Sequence, residues 1–341
     1  DQSLYEYVTY SRSGIFRKSN AYKFTSKEDK LLSEPIDWIG FRTRYTCALV
    51  KPNFSTENLQ ILKTDDHILN LEFQNKELII NSNEEIKFNY VMYFGPEDTK
   101  ILKTYGLEFE KIKRFYRWSL FDGVAKIIYW LLHSIFKIIG SWGVSIILIA
   151  AIIYLVTYPL TIKSMSSMKK MQELSPKVAL LKEKYKDNPQ RMNKEMMELY
   201  KEHKINPLAG CLPILLQMPV FIGLYQVLWR DPSFKGAAFL WIKDLSLPDK
   251  LISKLPVIGQ DLNILPLLMG VIMFYQQKLT TKNMVYADPD QAAQQKMMAN
   301  IMPIMMVFIF YTFASGINLY FTVFYLFYAL TQLKMSKVKN V

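Results

Sequence analysis

The side chains able to do chemistry inside lipid are few in this chain, and they gather around one stretch. Between Lys204 and Arg230 there is no charged residue, and Ile205–Trp229 is long enough to cross a bilayer core. Gln217 places an amide near its mid-depth, while Pro213 and Pro219 each delete a backbone donor. In hydrocarbon, such groups persist only where neighbouring helices, hydroxyls or water satisfy them. A kinked helix inside a bundle meets that demand, and so does a helix bordering a polar cleft. Thr157, Tyr158, Thr161 and Asn206 are the further polar groups placed to line such a cleft. Hydration and hydrogen bonding are the chemistry these residue types offer. His67, His133 and His203 lack metal-ligand spacing, and Cys47 and Cys211 make no disulfide framework. There is no HExxH, no GxSxG and no phosphate loop. No metal, cofactor or enzymatic activity is expected.

The elements that must hold these groups are set by segregated composition. Half of the 341 residues are apolar, yet 42 are Lys or Arg and 30 are Asp or Glu, and the long uncharged runs all fall in the later part. A net charge of +12 admits nucleic acid, anionic lipid or a ribosome as partner, and the positive-inside rule alone yields such an excess in a membrane protein. Residues 1–105 read as an antiparallel, β-sandwich-like domain. Leu69, Leu71 and Phe73 alternate with polar neighbours, as do Ile86, Phe88, Tyr90, Met92 and Phe94, with Asn-rich turn chemistry between the two runs. Residues 106–140 read as a linker and an amphipathic helix over Phe121–Ile139. Val124, Ile127, Ile128, Leu131, Ile135 and Ile138 lie on one side, and Lys126, Trp130, His133 and Lys137 on the other. That pattern suits a helix lying in a membrane interface or packed beneath a domain.

Residues 141–341 then read as a five-span helical core, with spans at about 143–161, 205–229, 263–277, 297–313 and 317–333. A polar hairpin, 164–205, interrupts it. Ser175-Pro176 and Asn188-Pro189 look like N-caps followed by Pro at the first helical position. The hairpin, the loop bounded by Lys278 and Lys296, and the tail with Lys334, Lys337 and Lys339 carry the basic excess. They are therefore expected in the cytoplasm, with the C-terminus inside and the β domain outside. No signal peptide or span precedes residue 120, so a further N-terminal segment is expected to deliver that domain.

At several places the sequence resembles the YidC/Oxa/Alb family of membrane protein insertases, in the bacterial form with a periplasmic domain. The matching residues are NPLAGCLPILLQMPVFIGLY (206–225), YPLT (158–161), LWIKDLS (240–246), LPLLMGVIMFYQQK (265–278) and SGINLYF (315–321). DWIGFRTRYTCALVKP (37–52) and YFGPED (93–98) resemble the end of the periplasmic domain. The resemblance implies a multi-pass protein of the bacterial inner membrane. Its groove would accept the hydrophilic segment of a nascent membrane protein and release the apolar helix into lipid, using no cofactor. Met218, Phe221 and Tyr320 resemble positions that touch substrate in the family. The implied partners are nascent membrane proteins, the Sec translocon, the ribosome through the basic hairpin, and anionic lipids, but not DNA. Bacterial relatives usually carry an arginine four residues before the YPLT tyrosine, whereas this chain has Tyr154. The groove is therefore expected to work by hydrogen bonding, with the Tyr154 hydroxyl as one donor. A small-solute transporter or channel is the rival class. It would normally show an intramembrane charge or inverted repeats, and neither is found.

Overall fold

Strand-forming residues come first, and among the described residues half of the strand pairings join strands consecutive in the chain. In this computed structural model, residues 6–13, 16–23, 30–33, 35–54, 56–65, 68–75, 77–115, 119–186, 188–206, 212–252, 261–281 and 289–337 are described. The chain divides into one unit of Asp1–Gly123 and another of Val124–Val341.

The first unit holds β1 (Glu6–Ser13), β2 (Phe16–Lys23), β3 (Lys30–Leu32), β4 (Ile36–Arg42), β5 (Thr46–Pro52), β6 (Asn58–Asp65), β7 (Ile68–Gln74) and β8 (Tyr90–Pro96). One antiparallel sheet has the order β2-β1-β4-β5-β8 and the other β3-β6-β7. Period-two alternation gives the larger sheet two apolar faces. Tyr7, Ile36 and Ile39 meet Leu59 and Ile61 of the smaller sheet. On the opposite face Val8, Tyr10, Trp38 and Leu49 are covered by Leu102 of α1 (Thr99–Thr104) and by Phe109 and Ile112 of a 3-10 turn. Trp38 stacks on Tyr10 at 5.1 Å and meets Phe109 edge-on at 6.0 Å, both favoured ring geometries.

Arg42, at the end of β4, is 3% exposed and fully engaged. Its Nε and Nη2 donate to Glu6 Oε2 at 2.9 and 2.6 Å. Nη1 donates to the Ile112 carbonyl at 2.9 Å, and Nη2 to the Arg114 carbonyl at 2.6 Å.

The β8 alternation is present, but its sense differs from the expectation of a half-buried strand. Val91 and Tyr93 point inward, whereas Met92 and Phe94 are 71% and 86% exposed. Ile86 and Phe88 precede the strand in unpaired, exposed backbone. β8 ends the five-stranded order and, among the described residues, is paired on one side only, with β5.

Cys47 of β5 is a buried free thiol, 2% exposed. Burial foremost, and then the Glu97 carboxylate, push it up from 9.0 to about 12 against the opposing pull of Arg42. The folded thiol thus keeps its proton where an unfolded one would lose it. The stability this contributes is complete below pH 9 and is lost as pH climbs toward 12. In a Cys211→Ser background, maleimide labelling of Cys47 at pH 8 is expected to be about 100-fold slower in the folded chain than in denaturant. Equal rates would contradict the burial.

The second unit carries α2 (Ser119–Ile139, shared at its first turn with the sheet unit), α3 (Trp142–Glu173), α4 (Ser175–Lys184), α5 (Pro189–Glu202), α6 (Leu212–Arg230), α7 (Ile264–Thr281), α8 (Pro289–Phe310) and α9 (Ser315–Lys337). Among the described residues, Ser119–Ile139 and Trp142–Met171 are long and apolar enough to cross a membrane, and Ile264–Leu279 and Asn300–Phe310 are shorter apolar stretches.

Three details depart from expectation. α3 does not stop near Thr161. It continues through Pro159 to Glu173, because good helix formers follow the apolar run and a single interior Pro removes only one backbone bond. Asn188 caps α5 as expected, accepting from the Arg191 N–H at 3.0 Å. Ser175 instead lies inside α4, with Leu174 before it in helical conformation, so the α3–α4 joint is a single residue and no cap is needed. On α2 the buried stripe is Ala125, Ile128 and Leu132, while Ile127 and Ile138 of the expected apolar side are 60% and 86% exposed.

Candidate functional site

α9 is the element on which the polar groups of the helical unit converge. It packs against α3, α6 and α7. Its first turn is anchored by Ser315 Oγ, which donates to the Asp244 carbonyl at 3.0 Å, and by Asn318, whose Nδ2 donates to the Phe310 carbonyl at 3.1 Å. One turn further on, Tyr320 is fully buried, and its hydroxyl accepts from Gln217 Nε2 of α6 at 3.0 Å. Eleven residues later, roughly 16 Å along the helix, the Thr331 hydroxyl bonds that of Tyr154 on α3. The adjacent Gln332 accepts from Gln276 Nε2 of α7 at 3.2 Å. Each of these links is neutral, and an amide or hydroxyl pair needs no counter-charge in a dry interior.

Aromatic rings fill the space between the two levels. Tyr154 stacks on Phe327 at 5.5 Å and meets Phe324 edge-on at 5.8 Å, while Phe324 stacks on Tyr320 at 5.9 Å. Phe221, one helical turn past Gln217, packs among Phe310, Phe313, Phe321 and Tyr225. Gln217 itself is partly exposed, and its neighbours Leu216 and Met218 are 42% and 47% exposed. The α6 face therefore carries one amide among apolar side chains. Its Nε2 is occupied by Tyr320, and its carbonyl oxygen remains able to accept a hydrogen bond.

The nine residues singled out by sequence thus fall into distinct environments. Gln217 and Tyr320 are joined directly, with Met218 and Phe221 beside them. Tyr154 and Tyr158 are ring neighbours at 6.0 Å, but Tyr158 is exposed and Tyr154 is buried with its hydroxyl engaged. Thr157 donates to the carbonyls of Ile153 and Tyr154 at 2.9 and 3.1 Å, and Thr161 to that of Thr157 at 3.0 Å. Both hydroxyl protons are therefore used within α3 itself. Asn206 is exposed, just after a residue that closes α5 through its Ile205 N–H to the Tyr200 carbonyl.

Thr331, Gln276 and Gln332 were not singled out by the sequence reading. Nothing in a lone Thr or a Gln near a helix end distinguishes a bridging group from a solvated one. Among the described residues no group of three or more His, Cys, Asp or Glu could hold a metal ion.

A chain with neutral polar links inside an aromatic helical unit, joined to a two-sheet unit, is the kind of protein these features define. The model of the family described as "60Kd inner membrane protein" matches residues 132–340, and the chain belongs to that family. Among curated relatives, a membrane protein insertase YidC from Pelobacter propionicus is 37% identical over 305 residues, covering 89% of this chain and 54% of that protein. The protein of that name from Geobacter sp. strain M21 is 39% identical over 290 residues, 84% of this chain and 50% of its own. A solved structure titled as an active YidC insertase with its first transmembrane domain resolved aligns with 95% of this chain and 82% of its own. Its identity is 19% and its TM-score 0.48. The chain spans about half the length of the curated relatives it matches.

Proposed function

We propose that this chain is the core of a membrane protein insertase. On this reading a hydrophilic segment of a nascent membrane protein enters beside α6 and α9, and its apolar helix leaves into lipid. The observation that carries the reading is the Gln217–Tyr320 pair. It is a hydrogen-bonding point on a partly exposed helix face that is otherwise apolar and Met-bearing. Carrying a polar segment through hydrocarbon costs several kcal/mol for each unsatisfied group. A face that lends an acceptor and excludes little water shortens that barrier. Met218 and Phe221 give adaptable apolar contact to varied clients, and no covalent step is required of the protein.

In this reading α3, α6, α7, α8 and α9 are the five spans, under a bilayer thinned where they are short. The basic hairpin and the C-terminus lie in the cytoplasm, and the sheet unit lies outside. The domains are 1–105, 106–140 and 141–341. Nascent chains are the substrate, the ribosome and anionic headgroups meet hairpin 164–205, and the Sec translocon is a partner in one mode of action. Tyr154, whose hydroxyl is tied to Thr331, and Thr157 and Thr161, whose hydroxyl protons are engaged within α3, act as wall rather than as donors to substrate. Tyr158, Asn206, Gln217, Met218 and Phe221 make the contacts, and Tyr320 aims Gln217.

Site-specific photocrosslinking to a stalled nascent membrane protein tests this. Probes at Tyr158 and Met218, 42% and 47% exposed, are expected to capture the nascent chain, Phe221 less, and Tyr154 not at all. Capture from Tyr154 with silence at Met218 would place the substrate elsewhere and overturn the assignment.

A further inference from the structure

α2 and α6 are joined at two levels. At the first, Gly223 allows close approach, since a Cβ there would stand 3.2 Å from both the Ala125 nitrogen and the Ile128 side chain. At the second, His133 Nε2 reaches Oδ2 of Asp231, the residue after α6, at 3.3 Å. The ring is held firmly. It lies against Tyr129 at 4.0 Å between centroids and edge-on to Trp142 at 5.0 Å.

The two ring nitrogens face two acceptors. Nδ1 is 3.0 Å from the Tyr129 carbonyl oxygen, a contact that an N–H makes favourable, so this nitrogen carries a proton. In the neutral ring, Nε2 would then turn a lone pair toward a carboxylate oxygen. In the protonated ring, both nitrogens donate. Asp231 is 2% exposed. Its Oδ1 accepts from the Ser233 N–H at 3.1 Å, and its Oδ2 makes no hydrogen bond among the described residues, with His133 Nε2 standing 3.3 Å from it. A buried carboxylate oxygen without a partner is costly, and an imidazolium supplies the partner together with the charge.

We propose that His133 is a positioning residue: when protonated it latches α2 to the end of α6 through Asp231, and when neutral it lets α2 go. Insertion then depends on the pH at that end of α6. The activity consequence rests on the insertase reading, whereas the latch does not.

The titratable groups facing the ring are Asp231, from the end of α6, and Tyr129, on its own helix. α3 presents Trp142, which does not titrate, with Phe234 of the following 3-10 turn packed behind it at 4.6 Å. Arg230, next in the chain, donates from Nε to Gln226 Oε1 at 2.8 Å, and its guanidinium lies over Trp229. Lys137, one turn along α2, is exposed.

The test is amide hydrogen exchange over residues 124–139 of the whole chain in lipid nanodiscs, read as the ratio of His133→Gln to the original protein, so that intrinsic base catalysis cancels. At pH 6 the variant is expected to exchange about tenfold faster or more, the scale of a charge-assisted hydrogen bond. At pH 8 the two should come within about twofold of each other, as a latch that needs the charged ring requires. Asp231→Asn, which keeps the Oδ1 cap, should match His133→Gln at both values. A ratio that is the same at pH 6 and pH 8, or an Asp231→Asn protein exchanging like the original at pH 6, would overturn the latch. In parallel, insertion of a reporter membrane protein into proteoliposomes should lose its pH dependence in both variants. Absence of insertion by the original protein at every pH would count against the insertase reading, and the exchange ratios would still decide the latch.

Discussion

Replacing Arg42 with Met is expected to remove most of the stability of the sheet unit, about 3–5 kcal/mol of the 5–15 typical of a domain. Arg42 is not a surface ion-pair partner that water could replace. It is 3% exposed and gives four hydrogen bonds: two to Glu6 Oε2, and one each to the Ile112 and Arg114 carbonyls. Met matches its length but supplies no donor. It takes away from Glu6, 7% exposed, its ion pair with the guanidinium, and from the carbonyls at the end of the 3-10 turn the donors that hold them. With a urea dependence of about 1–3 kcal/mol per M, the unfolding midpoint of the sheet unit should fall by roughly 2 M. This can be followed in the intact chain by proteolysis of residues 6–115. Adding Glu6→Gln to the Arg42→Met protein should restore part of the loss, because it removes a buried carboxylate whose ion pair with Arg42 is gone. A midpoint shift below about 0.5 M would mean that water reaches the site and that the network is ornamental.

Both units were foreseeable from composition, and their joints only in part. The Asn188-Pro189 start of α5 was legible because a side-chain cap followed by Pro is a local signal that needs no tertiary context. Ser175-Pro176 carries the same signal and means something else. α3 arrives there already helical, and the preceding turn does what a cap would do. The β8 alternation was legible, but its direction was not, because period two states that two faces differ and not which one is covered. His133 shows the limit most clearly. Spacing on α2 groups it with Lys126 and Lys137 on a polar side, and only the fold brings Asp231, ninety-eight residues on, against its ring. Gln217 was visible as a polar group in an apolar run and Tyr320 through the family resemblance, and their pairing belonged to three dimensions. Tyr154 was legible as a hydroxyl where resemblance implies an arginine. Its partner Thr331 was not, and that partner changes the meaning of Tyr154 from an open donor to a tie between α3 and α9.

On the proposed insertase reading, replacing residues 170–200 by a Gly/Ser linker is expected to abolish insertion while leaving the remaining helices folded. α4 packs on α3 and α5, and α5 on α4, and α5 has no fully buried residue. Leu174 and Val178 are the buried apolar residues that the replacement would remove, both at the α3–α4 joint. The fully buried side chains of α3, α6 and α9, such as Ile146, Leu224, Leu228 and Tyr320, stay in place. Losing an exposed element of this kind costs the rest of the protein little, so the thermal midpoint should move by only a few degrees. Function should respond differently. α5 carries Met192, Met196, Leu199 and Tyr200 along one side and a row of basic and acidic residues along the other. The first suits brief contact with apolar segments of many shapes, and the second suits phosphate or lipid headgroups. If this hairpin receives the nascent chain, its removal should lower insertion by tenfold or more in proteoliposomes, an effect of about 1.4 kcal/mol or greater on a single step. The same replacement should leave the stalled-chain crosslink at Met218 weak, because delivery would fail before the groove is reached. Insertion at the original level would show that α4 and α5 serve only to obey the charge rule of their compartment, and the receiving surface would then have to be sought on α6 itself.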